Sequence, residues 1–153
     1  MENKDDALQE LYWKEMSRED LCAVAALEAA SFSEPWSLES FHQAIESPHM
    51  YYLTAFLGEN LAGYGGYVRS FEEACITNIA VDPSLRRKGV GSFLLNALME
   101  QGRKQGIERF TLEVRVSNEA AIRLYEKYGF RSVGTRKNFY SFPKEDAYIM
   151  WTE

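Results

Sequence analysis

Cysteine and histidine are scarce in this chain, which limits the chemistry that it can perform. Its 153 residues include two cysteines, Cys22 and Cys75, and two histidines, His42 and His49. Residues so few and so far apart do not form a disulfide framework or the closely spaced ligand pairs of a zinc site. Ordinary packing or surface exposure accounts for them, so we expect no metal cofactor.

Long apolar runs and an excess of basic residues are missing as well. No apolar stretch approaches the roughly 20 residues that cross a bilayer, and residues 1–6 lack the basic and apolar regions of a secretion signal. The formal net charge is −6, whereas proteins that bind nucleic acids generally carry a basic face. We therefore expect a cytoplasmic protein that binds neither nucleic acid nor membrane and that suits a positively charged substrate.

The length and composition are those of one globular domain. Hydrophobic residues make up 46% and charged residues 26% of the chain, which are ordinary values. No internal repeat, low-complexity tract or linker divides it, and 153 residues suffice for one hydrophobic core. We predict a single domain over residues 1–153.

Apolar periodicity predicts a mixed α/β fold. Alternation predicts strands over 11–16, 51–57, 61–71, 74–81, 110–114, 130–137 and 147–151. Helical spacing predicts helices after Asp20, after Ser37, over 90–105 and over 119–128. Ser37 is the expected N-cap of the second helix, with Leu38, Phe41 and Ile45 facing inward. The order of elements predicts an antiparallel meander and then a β-α-β unit, whose two strands are parallel and close together.

A basic loop with two glycines joins the 74–81 strand to the 90–105 helix. Glycines let a backbone turn tightly and approach a ligand, and the amides before a helix form a cradle for an anion. The loop lacks the order of a P-loop, and Leu94 stands where a dinucleotide fingerprint has its third glycine. A solvated basic turn remains the alternative to a phosphate site at Arg86, Arg87, Lys88, Gly89, Val90, Gly91 and Ser92.

Further segments, in order along the chain, resemble the GCN5-related N-acetyltransferase (GNAT) family. Within that family, the chain is most similar to the bacterial ribosomal-protein-alanine N-acetyltransferases, the RimI group. The matching segments are Asn78-Ile79-Ala80-Val81-Asp82-Pro83, Arg86-Arg87-Lys88-Gly89-Val90-Gly91, Leu112-Glu113-Val114-Arg115, Ser117-Asn118, Ala120-Ala121-Ile122, Leu124-Tyr125, Gly129-Phe130, Arg136-Lys137-Asn138-Phe139-Tyr140 and Glu145-Asp146-Ala147. Pro35-Trp36-Ser37 is a looser match in the N-terminal half.

The resemblance implies a mixed, largely antiparallel sheet that is splayed into a V and flanked by helices. The arms of the V would be the strands over 74–81 and 110–114. The resemblance also implies acetyl-CoA as co-substrate, with its pantetheine arm paired to the backbone of Ile79, Ala80 and Val81 and its pyrophosphate on the basic loop. Asn118 would bond a pantetheine amide and also cap the 119–128 helix.

Acetyl transfer to an amine requires a proton acceptor, and Glu113 is the candidate. It interrupts an apolar strand, where a charge is costly unless it is used or paired. The resemblance makes it the proton acceptor. The alternative interpretation is an exposed position on an edge strand, or an ion pair with Arg109 or Arg115.

Tyr125 is the candidate proton donor to the leaving thiolate, since a phenol with a pKa of about 10 is protonated near neutral pH. The resemblance places the general acid there, whereas its spacing with Ala121, Leu124 and Tyr128 also fits a core stripe. The backbone N–H of Val81 is a further candidate, which would polarise the thioester carbonyl.

The implied activity is direct acetyl transfer from acetyl-CoA to a protein N-terminus by a monomer, with the N-terminal alanine of a small-subunit ribosomal protein as the leading substrate. The alternatives are a lysine side chain or a small-molecule amine as acceptor, or a non-catalytic acyl-CoA-binding module. We expect Cys22 and Cys75 to lie away from the cleft, so that no acyl-enzyme forms. Four side chains can shape a peptide groove, although aromatic residues pack in cores more often; they are Trp36, Tyr67, Arg115 and Tyr140.

Overall fold

The computed structural model describes residues 10–152, which form seven strands and four α-helices. The strands are β1 (Leu11–Glu15), β2 (Met50–Leu57), β3 (Asn60–Ser70), β4 (Glu73–Val81), β5 (Arg109–Arg115), β6 (Arg131–Tyr140) and β7 (Glu145–Thr152). The α-helices are α1 (Leu21–Ser31), α2 (Leu38–Glu46), α3 (Val90–Lys104) and α4 (Glu119–Lys127). Short 3-10 helices cover Arg18–Asp20 and Pro83–Leu85. Every strand and helix that the sequence predicts is present.

All seven strands form one sheet in the order β1-β2-β3-β4-β5-β7-β6. Neighbouring strands are antiparallel except β4 and β5, which are parallel. Helix α3 makes the crossover that a parallel pair requires. The predicted mixed, largely antiparallel sheet with flanking helices is therefore confirmed. The last hairpin places β7, rather than β6, beside β5, an order that apolar periodicity does not encode.

Strands β4 and β5 separate soon after they begin. Their register contains the pairs Glu73–Arg109, Ala74–Phe110 and Cys75–Thr111, and β4 has no partner in β5 beyond that point, although the structure describes both strands in full. The β3–β4 register also shifts here, which leaves Thr77 as an extra residue in β4. Such a β-bulge bends a strand and increases its twist. The bulge therefore opens the V at the position where the pairing ends.

Two hydrophobic clusters cover the opposite faces of the sheet. The adjacent residues Tyr52 and Leu53 belong to different clusters, as expected because successive residues of a strand point to opposite faces. Helix α3 buries Leu94, Leu95 and Leu98 against one face, and α1 and α2 cover the other. Burying each such leucine contributes about 2 kcal/mol, so the sheet is fixed from both sides around the V.

Helix α2 begins at the predicted N-cap but turns one predicted core residue outward. The Ser37 hydroxyl accepts a hydrogen bond from the Ser40 N–H at 3.1 Å. Phe41 is fully buried, whereas Leu38 is 47% exposed, so the prediction that Leu38 faces inward is wrong. The buried face of α2 passes through Phe41 and Ala44, and Leu38 lies about 120° from Ala44 around the helix.

Candidate active site

The basic loop ends in a helix terminus with free amides. Arg87 and Gly89 have positive φ angles of 65° and 89°, which turn the chain sharply into α3. The Phe93 N–H donates to the Gly89 carbonyl at 3.0 Å, and the N–H groups before it have no partner within the helix. A Cβ built on Gly89 meets no atom within 4 Å, so open space lies beside the loop. This geometry fits a diphosphate group.

The charges around the loop also fit an anion. Within residues 10–152, no acidic side chain pairs with Arg86, Arg87 or Lys88. The nearby Asp82 carboxylate instead accepts hydrogen bonds from the N–H and the hydroxyl of Ser84, which hold its pKa below the ordinary value. Three cationic side chains are thus left to face a negatively charged ligand.

The inner edge of β4 offers backbone groups to the open V. The Asp82 N–H donates to the Ala62 carbonyl at 2.8 Å, and hydrogen-bonded pairs alternate along an antiparallel ladder. Ala80 therefore directs its N–H and carbonyl to β3, whereas Ile79 and Val81 direct theirs into the V. Two of the three predicted pantetheine-binding residues thus present free backbone groups, and Ala80 lies between them with a buried side chain.

Glu113 lies on β5 inside the V, on the face opposite to the buried residues of that strand. Phe110, Leu112 and Val114 alternate with it and are buried. Its side chain is 24% exposed, and its carboxylate lies 3.4 Å from the Arg136 guanidinium. Strand β5 is central rather than an edge, and the ion pair forms with Arg136 of β6 rather than with either arginine that the sequence suggested.

Tyr125 projects from α4 with an unpaired hydroxyl. Its ring packs against Phe130 with the centroids 5.8 Å apart. Burial raises the pKa of Tyr125 to about 12, and the neighbouring Tyr140 adds to the shift. No described residue bonds its hydroxyl, and that oxygen is not among the fully buried unpaired ones. The phenol is therefore protonated at neutral pH and is free to donate.

Tyr140, at the end of β6, connects the environments of the two candidate residues. Burial raises the pKa of Tyr140 to about 12, the Glu113 carboxylate adds to the shift, and the Arg115 guanidinium opposes it. The Tyr140 phenol in turn raises the pKa of Tyr125. Tyr140 therefore lies near both Glu113 and Tyr125, the two residues to which the resemblance assigns proton transfer.

Arg115 organises the turn that follows Tyr140. Its guanidinium donates to the carbonyls of Pro143 at 2.9 Å and Ser141 at 3.3 Å, and it lies 4.4 Å from the centre of the Tyr140 ring. It also pairs with Glu145 at 3.1 Å. The end of β5 therefore fixes the β6–β7 turn beside the V.

The loop before α4 belongs to the same cluster. The Ser117 N–H donates to Glu145 at 2.8 Å, and the Asn118 side chain accepts from the Ala121 N–H at 3.2 Å. The second bond is the predicted helix cap. Asn118 itself is exposed, which leaves its remaining side-chain atoms accessible to a ligand.

Two sequence predictions about the site are wrong. Cys75 does not lie away from the cleft, because its register partner is Thr111, at the point where the V opens. Burial raises the pKa of its thiol, and Glu113 raises it further, so the thiolate that would form an acyl-enzyme is disfavoured. Tyr67 is 2% exposed and stacks on Tyr51 inside the core, so it lines no groove. Cys22 is exposed on α1, as expected for a surface residue.

A depression lies outside the V. It has a volume of about 400 Å³ and is lined by Trp36, Ser40, Gln43, Ala44, Ser47 and Met50. It contains none of the candidate proton-transfer residues.

Among residues 10–152, no group of three or more acidic, histidine or cysteine side chains is placed to hold a metal ion. No helix in that part of the chain has the length and apolar character to cross a membrane.

Comparison with known proteins agrees with this geometry. The model of the acetyltransferase (GNAT) family matches residues 6–130. A Bacillus subtilis protein, provisionally named a [ribosomal protein bS18]-alanine N-acetyltransferase, is 41% identical over 90% of this chain and 92% of its own. The Escherichia coli [ribosomal protein bS18]-alanine N-acetyltransferase is 38% identical over 86% of this chain and 89% of its own.

A solved structure extends the likeness to three dimensions. The crystal structure of the ribosomal-protein-S18-alanine N-acetyltransferase from Escherichia coli matches with a TM-score of 0.85 and 33% identity, over 93% of this chain and 92% of that one. Enzymes of the matched family use acetyl-CoA as the acetyl donor. The splayed sheet, the free amides at the start of α3 and these comparisons agree, and the chain belongs to the acetyltransferase (GNAT) family.

Proposed function

We propose that this enzyme acetylates the α-amino group of a protein N-terminus, and that its substrate is the N-terminal alanine of a small-subunit ribosomal protein. The observation that carries the proposal is that the Glu113 carboxylate of β5 and the protonated Tyr125 phenol of α4 both neighbour the Tyr140 phenol. Two relatives named for the alanine of ribosomal protein bS18, at 41% and 38% identity, support the choice of substrate.

The donor site is built from the basic loop and the inner edge of β4. The amides and cations of residues 86–92 hold the diphosphate of acetyl-CoA, and Ile79 and Val81 pair with its pantetheine arm. Asn118 bonds a pantetheine amide with the side-chain atoms that its cap leaves free. Acetyl-CoA supplies the thioester whose acyl group is transferred.

Two side chains transfer protons, and one backbone N–H stabilises the developing negative charge. An α-amine has a pKa of about 7.7–8.0, so Glu113 needs only modest basicity to take its proton, directly or through one water. The Val81 N–H donates to the thioester oxygen as negative charge develops there. The amine attacks the carbonyl carbon and the C–S bond breaks. Tyr125 protonates the departing sulfur, and the proton that the nitrogen loses as the amide forms replaces it on Tyr125 through solvent. The raised pKa of Cys75 agrees with direct transfer rather than an acyl-enzyme.

The acceptor peptide lies between two loops at the mouth of the V. The β6–β7 turn lies on one side, fixed by Arg115. The segment between α1 and α2 lies on the other, and its Ser33 hydroxyl donates to the Ser141 carbonyl at 3.4 Å. Trp36 belongs to the segment between α1 and α2, and Tyr140 is the last residue of β6, directly before the turn. The formal charge of −6 suits a basic ribosomal protein, because opposite charges speed encounter.

The test is an acceptor panel that separates the three possible amines. One peptide begins with a free alanine, a second has the same sequence with a blocked N-terminus and an internal lysine, and the third acceptor is a polyamine. We expect CoA release with the first peptide alone and a mass increase of one acetyl group at its N-terminus. Turnover confined to the lysine peptide or the polyamine contradicts the proposed acceptor, and binding of acetyl-CoA without turnover of any amine contradicts catalysis.

A further inference from the structure

Glu28 is a buried carboxylate that the proposed chemistry does not use. The residue is 2% exposed in α1, and no cation pairs with it within residues 10–152. Burying a carboxylate without compensation costs several kcal/mol. Its retention here therefore requires partners that compensate for lost hydration.

Three donors supply that compensation, from three different elements. One oxygen of Glu28 accepts from the Tyr64 hydroxyl of β3 and from the Asn78 amide of β4 at 3.1 Å. The other accepts from the backbone N–H of Trp36 at 2.8 Å. Burial and the bond to Glu28 raise the pKa of Tyr64, so its hydroxyl stays protonated and donates. Only a carboxylate presents acceptors on both sides at once.

The hydrogen bonds around Glu28 form a network, and its β4 end reaches the bulge that opens the V. The Asn78 side-chain oxygen accepts from the Tyr52 hydroxyl at 3.0 Å, and that phenol bonds the Thr77 hydroxyl at 2.6 Å. Thr77 is the extra residue of β4. Glu28 is therefore connected, through the side chains of Asn78 and Tyr52, to the part of β4 that lies next to the cleft.

The Trp36 end of the network belongs to the proposed acceptor side. Residues 32–37 join α1 to α2 and contain no helix or strand, so few backbone bonds hold them. The Trp36 ring packs on Phe41 and Tyr52, with centroids 5.3 Å and 5.8 Å away. The same segment contacts the β6–β7 turn through Ser33 and Ser141. The Glu28 bond thus sets the distance between one wall of the peptide site and the sheet.

We propose that Glu28 is a positioning residue that fixes the 32–37 segment against β4 and thereby determines affinity for the acceptor peptide. This inference rests on the proposed function, because it needs an acceptor seated between that segment and the β6–β7 turn. Glu28 touches neither the basic loop nor the free edge of β4, so affinity for acetyl-CoA does not depend on it.

The test is the Glu28→Gln variant, assayed with the alanine peptide. The amide replaces one acceptor oxygen with a donor, which must face either the Trp36 N–H or the donors on β3 and β4. We expect the KM for the peptide to rise about tenfold, while kcat and the KM for acetyl-CoA change less than about twofold. An unchanged KM for the peptide overturns the inference.

Tyr64→Phe is the matched control. It also removes a hydrogen bond to Glu28, but it leaves the oxygen that holds Trp36 untouched. We expect it to lower the melting temperature about as much as Glu28→Gln and to leave the KM for the peptide unchanged. Equal increases in KM in both variants mean that general destabilisation is responsible, which overturns the inference.

Hydrogen exchange in the unmodified enzyme tests the inference without a variant that has to fold. The Trp36 amide should exchange at least about tenfold more slowly than the amides of Ser33 and Glu34, which belong to the same segment. Equal rates contradict the anchoring bond. If the unmodified enzyme acetylates no N-terminal peptide, the proposed function is rejected. The exchange rates still test the bond between Glu28 and Trp36 in that case, so the two failures are distinguishable.

Discussion

Glu113, the proposed proton acceptor, also forms an ion pair with Arg136, and the two roles are separable. In Glu113→Gln the side chain keeps its size but cannot take a proton from the amine. We expect kcat to fall about 100-fold, with little change in the KM for acetyl-CoA, measured by steady-state CoA release. Arg136 is 56% exposed, so the ion pair itself contributes little to stability.

Arg136→Gln is the control for this variant, because it breaks the same pair and keeps the carboxylate. It should retain most of the turnover. If both variants lose activity to the same extent, the ion pair rather than the carboxylate is what the reaction requires.

The Tyr125 hydroxyl has no hydrogen-bond partner among residues 10–152, so its removal should affect chemistry more than folding. We expect Tyr125→Phe to lower kcat at least 100-fold, as for loss of a general acid, while the melting temperature stays within a few degrees. Tyr128→Phe on the same helix removes a hydroxyl that donates to the Ser92 carbonyl at 3.3 Å, and it should leave turnover largely intact. Unfolding of Tyr125→Phe would mean that the residue serves the core.

The pKa of Tyr125 makes a further prediction for the same side chain. A phenol with a pKa of about 12 stays protonated until the solution is strongly alkaline. The kcat should therefore not decline between pH 7 and pH 9 through loss of this proton, since both values lie well below the pKa.

The two ends of α3 carry a matched pair of glycines, which separates the effect on ligand binding from the effect of backbone strain. Gly89 and Gly106 have φ angles of 89° and 88°, and an added Cβ meets nothing within 4 Å at either position. Alanine should therefore cost about 1–2 kcal/mol of folding free energy at both, measured by chemical denaturation. Only at Gly89 does the new methyl group enter the proposed diphosphate site. We expect the KM for acetyl-CoA to rise at least about tenfold in Gly89→Ala and to remain unchanged in Gly106→Ala.

Glu145 links β7 to the end of β5 and to the loop before α4, and its contribution depends on pH. Hydrogen bonds from Ser117 hold its pKa below the ordinary value of 4.5, and Arg115 lowers it further. A lowered pKa in the folded state stabilises the protein above pH 4.5, and this stabilisation is lost as the pH falls through the lowered pKa. Glu145→Gln should therefore be less stable than the unmodified enzyme at pH 7, and the difference in unfolding free energy should shrink toward pH 3.

The elements of this fold follow from local patterns, whereas the site depends on contacts between distant residues. Alternation places Glu113 on the open face of β5, and Asn118 caps α4 through a bond over three residues. No local pattern identifies Arg136 as the partner of Glu113, or Thr77 as the bulge that opens the V. Within α2, hydrophobicity alone does not reveal that Leu38 lies outside the buried face of the helix.

The cleft also makes the stability of the whole enzyme depend on whether acetyl-CoA is bound. The two halves of the sheet meet through three register pairs between β4 and β5, and the V beyond them lacks the strand-to-strand bonds that close an ordinary sheet. A ligand that binds only the folded state at 100 times its Kd adds about 2.7 kcal/mol of stability, which corresponds to a rise of roughly 5–10 °C in the melting temperature of a domain of this size.

We therefore expect acetyl-CoA to raise the melting temperature by this amount in a calorimetric scan. The alanine peptide alone should raise it less, since it contacts the two loops rather than the arms of the V. Gly89→Ala, with binding about tenfold weaker, should lose about half of the shift or more at the same concentration of acetyl-CoA, while Gly106→Ala, which imposes similar strain, keeps it. An equal shift in both variants would mean that acetyl-CoA binds elsewhere. Hydrogen exchange gives a second check, because acetyl-CoA bound elsewhere would not slow exchange specifically in β4 and β5.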